Sequence, residues 1–108
     1  MGKVALNLLI ALNFLSGADI YETVFDGNCG FCHNLKDNSS GPFINEIIKR
    51  YRTKYPKKED FIKAIERWID KPSHKTSLFP EAIKRYGLMP KVDIDEESIK
   101  GIADYLSK

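Results

Sequence analysis

Five consecutive residues, Cys29-Gly30-Phe31-Cys32-His33, combine two thiols and an imidazole in a spacing with few chemical uses. Two cysteines three positions apart can add across the two vinyl groups of one porphyrin. The next residue then presents its imidazole under the ring centre as an iron ligand, which is the C-x-x-C-H logic of covalent haem attachment. Three other uses compete. C-x-x-C also serves thiol–disulfide exchange, usually on a βαβ scaffold. Cys29, Cys32, His33 and His74 supply enough donors for zinc, but adjacent Cys32 and His33 suit tetrahedral closure poorly. The last is a plain structural disulfide.

Haem iron has a second axial position, and its occupant decides much of what the protein can do. Met89 is the leading candidate. Apart from Met1 it is the chain's other methionine, and it stands in the stiff loop Gly87-Leu88-Met89-Pro90. Its plainer use is to fill a gap in the core. His74, in the polar stretch PSHKTS, competes for the same position, and two histidine ligands would give a lower potential; its plainer use is as an exposed loop residue.

The elements that must position these groups read as helices. Asp19 to Phe25 suits a helix of about two turns that Gly27-Asn28 breaks. Asn34 to Pro42 is rich in turn formers and reads as a loop. Phe43, Ile44, Ile47, Ile48 and Tyr51 fall on one helical face that ends by Pro56, and Phe61, Ile62, Ile65, Trp68 and Ile69 form a second that ends by Pro72. Pro80 fits the first turn of a shorter helix, with Gly87 at its αL C-terminal position. Asp95 caps a last helix whose first turn holds Glu96 and Glu97 and whose apolar stripe is Ile99, Ile102, Ala103, Tyr105 and Leu106. No useful strand alternation occurs. The expected class is all-α, four or five short helices with long connections, too little side chain to fill a core without something large and apolar in the middle.

The chain has 108 residues, one domain's worth, with 43% hydrophobic and 30% charged residues and a net charge of +2. That balance argues against a disordered chain and against a nucleic-acid binder, which carries a concentrated basic excess. Two cysteines are too few for a disulfide scaffold. Residues 1–18 read as a signal peptide: Lys3, then the apolar run Val4–Leu15, then Ser16-Gly17-Ala18 before Asp19. A buried N-terminal helix and a retained anchor are the alternatives. Residues 19–108 are the expected exported domain, with no membrane span, since no apolar run reaches the roughly 18–20 residues that spanning needs.

With these residues in view, the segment 19–108 resembles a small bacterial class I cytochrome c along nearly its whole length. The matching pieces are C-G-F-C-H at 29–33, G-P at 41–42, W-I-D-K-P at 68–72, M-P at 89–90 and I-A-D-Y-L at 102–106. The resemblance implies a cytochrome c-like fold wrapped around one haem c held covalently through Cys29 and Cys32. It implies His33 as proximal and Met89 as distal ligand, with the Pro42 carbonyl accepting from His33 Nδ1–H. Phe25 would pack against Ile102 and Tyr105, and Trp68 would lie near the haem as a propionate partner or a plain core aromatic. There are departures. The family often has a glycine eight residues before the first cysteine, where the terminal helices cross; Tyr21 stands there, so a wider crossing is expected. Tyr51, Arg52, Tyr55 and Lys57 lie in a charged stretch, as propionate partners or a solvated face.

The function implied is periplasmic electron transfer without catalysis: single electrons pass between transient redox-protein partners, with no nucleic acid involved and a monomer as the default. Lys36 and Lys91 are the expected steering charges for an acidic partner. The rival functions are a five-coordinate or bis-histidine haem protein that binds a gas or acts as a peroxidase-like enzyme, and a C-x-x-C thiol–disulfide oxidoreductase.

Overall fold

Five helices make up the regular structure of the computed structural model, which describes residues 19–33 and 40–108. In chain order they are α1 (Ile20–Asn28), α2 (Ile44–Lys54), α3 (Lys58–Asp70), α4 (Pro80–Tyr86) and α5 (Glu96–Leu106). No strand occurs among the described residues, so the class is all-α as the periodicity predicts. The expected signal peptide, most of the expected loop before Gly41, and Lys36 lie outside the described residues. No helix among the described residues is long and apolar enough to cross a membrane.

The core forms where α5 packs against α1 and α3, with α2 laid on α3. Ile102 and Ala103 of α5 are wholly buried (0% exposed). Phe25 of α1 packs on α5, its ring centroid 6.2 Å from that of Tyr105. Phe61, Ala64, Ile65 and Ile69 supply the buried face of α3, and Tyr51 of α2 meets Phe61 edge-on at 6.3 Å. Each burial removes apolar surface from water, worth about 1.5–3 kcal/mol for a large side chain.

Caps fix both terminal helices. The Asp19 carboxylate accepts from Tyr21 N–H at 3.1 Å, and the Asp95 carboxylate accepts from Ser98 N–H at 3.3 Å. The same Asp19 takes an ion pair from Lys108 Nζ at 2.9 Å. Arg52, expected near a propionate or on a solvated face, is exposed and donates to the carbonyls of Ser107 and Lys108, 3.0 Å from each. It ties α2 to the end of α5.

Three local expectations change. α1 runs through Gly27 and Asn28, because Cys29 N–H still bonds Phe25 O at 2.7 Å and the Asn28 side chain donates to Val24 O. An exposed glycine costs a helix only about 1 kcal/mol, and the continuing ladder offsets it. Gly87 does take a positive φ of 86°, but its ψ of 171° lies outside αL, in a region that is essentially glycine-only. At the crossing of α1 and α5, the small residue sits on the other helix from the one expected. A side chain on Gly101 would stand 2.1 Å from the Tyr21 ring, so Tyr21 lies directly on the α5 backbone.

Candidate functional site

The C-x-x-C-H segment is a tight turn continuing from α1. Cys32 N–H and His33 N–H both bond to Cys29 O, at 3.2 and 2.9 Å. This winding brings the two cysteines and the histidine together within one turn. Both thiols are free, Cys29 half-buried against the core and Cys32 exposed. Burial, with a smaller contribution from the neighbouring Cys32, pushes the Cys29 thiol up to about 11.

His33 is held from the side. Its Nδ1 lies 2.9 Å from the Pro42 carbonyl. A carbonyl can only accept, so Nδ1 carries the proton and Nε2 keeps its lone pair. Burial holds the ring below its usual pKa, against a smaller upward pull from the Pro42 bond. The imidazole is therefore neutral near pH 7, the form that binds a metal. Gly41 makes this approach possible, since a Cβ there would lie 3.0 Å from Cys32 O and 3.2 Å from the His33 ring.

Opposite the turn, the chain closes a largely apolar cleft of about 100 Å³ that opens to solvent. His33, Cys32, Gly41 and Pro42 form one side of its lining, Ile47 and Tyr51 come from α2, Trp68 from α3, and Ala82, Ile83 and Tyr86 from α4. Leu88, Met89 and Pro90 complete it. Of the residues expected at the site, Cys32, His33, Pro42, Trp68 and Met89 thus share one cavity. Cys29 does not line it and packs behind the turn, against the core. His74 is exposed in the Ser73–Thr76 turn and does not line the cleft. Lys91 is exposed beside Pro90.

The donor set suits a porphyrin better than a bare ion. No group of three or more His, Cys, Asp or Glu side chains able to hold a metal occurs among the described residues, so Cys29, Cys32, His33 and His74 do not converge as zinc would require. One imidazole, one thioether and the Cys32 thiol line a shared, largely apolar space, while Cys29, on the same turn, packs against the core.

Sequence reasoning left out Leu78 and Phe79, which line the same cleft, and Arg50, which holds them. The apolar pair before Pro80 was the available signal. Tyr51 lines the cleft and stacks on Tyr55 at 6.2 Å, while Lys57 is exposed. Comparison of the chain with protein-family models, curated proteins and solved structures finds no match.

Proposed function

We propose that this chain is an exported monohaem c-type cytochrome that carries single electrons between redox proteins in the periplasm. The observation that carries the proposal is that His33 and Met89 line one apolar cleft while the Pro42 carbonyl fixes the His33 tautomer with Nε2 free to ligate. When bound, haem c supplies reversible one-electron exchange between ferrous and ferric iron.

The chain's residues do the rest. Cys29 and Cys32 would hold the group covalently, so that a domain this small would not depend on affinity alone. His33 Nε2 and the Met89 sulfur would be the two ligands that hold the iron, and with both in place the group would serve electron transfer rather than binding of oxygen or substrate. The thioether and the apolar walls disfavour extra positive charge on the metal and raise the potential. The Pro42 carbonyl orients the imidazole and increases its basicity. Trp68 and Tyr51 bring an indole N–H and a phenol to the cleft wall, groups suited to a carboxylate. Lys91 adds a cation next to the distal loop for an acidic partner, an attraction that salt weakens.

The test is an absorption spectrum of protein exported from a host able to attach haem c, with Met89→Ala alongside. The expected result is a c-type ferrous spectrum plus a weak ferric thioether–iron band at the red end that the variant lacks. Covalent haem without that band moves the ligand to His74 or to an open position, and with it the function towards gas binding or peroxidase-like chemistry. Absence of covalent haem overturns the proposal.

A further inference from the structure

The distal side of the cleft is weakly held by its own packing. α4 has seven residues, none of them buried, and an isolated helix so short is marginal in water. Phe79, just before it, is 8% exposed and reaches the core. One side chain from α2 grips this stretch in three ways. Arg50 Nη1 donates to Leu78 O at 2.8 Å and to the Glu81 carboxylate, and its guanidinium lies 3.8 Å over the centre of the Phe79 ring.

We propose that Arg50 is a positioning residue for the distal side of the cleft: it latches the Leu78–Glu81 stretch, and through α4 the Gly87–Pro90 loop that bears Met89, onto α2. The part concerning Met89 as a ligand rests on the cytochrome reading; the latch itself does not. Only a guanidinium can do this work. It bonds a carbonyl and a carboxylate from one edge while its flat face stacks on an aromatic ring, whereas a lysine ammonium offers a single point charge. The ion pair alone is exposed, with side chains 44% and 59% accessible, and screened pairs of that kind contribute little. The carbonyl bond and the stacking make the contact directional. Leu78 and Phe79 also line the cleft, so the latch sets the position of its wall as well as of the loop beyond.

The experiment uses the full protein with its covalent haem and compares wild type with Arg50→Gln, Glu81→Gln and the control Arg52→Gln, which cuts a different tie of α2, the one to the end of α5. Two quantities are read: amide exchange across residues 77–90, and the urea concentration at which the ferric thioether–iron band disappears. Arg50→Gln should speed exchange in 77–90 about tenfold, with α1 and α5 unchanged, and lower the urea midpoint at which the band is lost. Glu81→Gln, which keeps the stacking, should show a smaller change in the same segment. Exchange and midpoint no different from Arg52→Gln overturn the latch. If wild type has covalent haem but no thioether band, the Met89 assignment fails, and exchange across 77–90 alone decides Arg50. If Arg50→Gln does not fold, the Glu81→Gln exchange pattern decides it, an unchanged 77–90 segment counting against.

Discussion

The Tyr21 ring occupies the space that a side chain on Gly101 would fill, 2.1 Å from where that Cβ would stand. α1 and α5 therefore meet through an aromatic ring laid on bare backbone. Gly101→Ala in the native background should be destabilising by about 1–3 kcal/mol, the usual cost of overpacking. In a Tyr21→Ala background the same change should become stabilising by up to about 1 kcal/mol, because alanine is the better helix former once the clash is gone. Urea denaturation of the four proteins measures this; an effect of the same sign in both backgrounds refutes the contact.

Gly41 fits closely beside the His33 ring and the Cys32 carbonyl, which a Cβ would press by a few tenths of an ångström. Gly41→Ala should lower stability by about 1–3 kcal/mol and shift the His33 Nδ1–H resonance as the bond to Pro42 is strained. Gly27→Ala makes the contrast. Nothing lies within 4 Å of a Cβ there, and the site is helical and exposed. That substitution should stabilise by up to about 1 kcal/mol and leave the resonance in place.

Tyr51 contributes to the alkaline limb of stability. Burial first, then the neighbouring Tyr55, push its phenol from 10 to about 12, against a smaller opposing effect of Arg67. Between those values the unfolded chain has lost the proton and the folded one retains it, so stability falls as pH rises through that window. The contribution is complete below pH 10 and amounts to roughly 2–3 kcal/mol lost by pH 12. Tyr51→Phe should remove this loss, seen as a gain over wild type that appears only above pH 10. Parallel curves throughout would show that Tyr51 does not titrate in the folded protein's favour.

The acid limb has a matching origin at Asp95. The Ser98 hydroxyl, and with it the Ser98 amide, holds this carboxyl below its ordinary 3.8. Its contribution is present above that value and lost as pH falls through the lower folded one. Asp95→Asn keeps a capping oxygen but not the charge, so it should be less stable than wild type at pH 7 and converge on it in acid, flattening the acid side of the thermal stability profile.

Much of the helical framework is legible in local pattern. Pro56, Pro72 and Pro80 bound helices where the missing amide hydrogen dictates, and the i, i+3, i+4 stripes pick out the faces of α3 and α5 that are buried. Asp19 and Asp95 cap because short acceptors precede apolar periodic runs. Local pattern misreads the end of α1, because Gly27 lowers helix propensity without showing that the ladder continues to Cys29. Of the site, Cys32, His33, Pro42 and Met89 are visible as motif pieces, and they share one cleft. Arg50, Arg52 and Gly101 are not visible in that way. Each owes its role to a partner 28 or more residues distant, as with Arg50 and Leu78, or to a ring from the opposite end of the chain, as with Gly101. No spacing rule records such distant encounters.

The ion pair between Asp19 and Lys108 spans 89 positions, and the helix pairing beside it is as remote. During synthesis, α1 emerges with Phe25 and no partner to cover it until α5 follows. Closing so large a loop costs entropy before any contact rewards it. The terminal pair is thus a clasp fastened last, and no shorter stretch of the chain carries a finished version of this core. Unfolding should accordingly be all-or-none, and proteolytic nicking in the middle should leave no half that stays folded by itself.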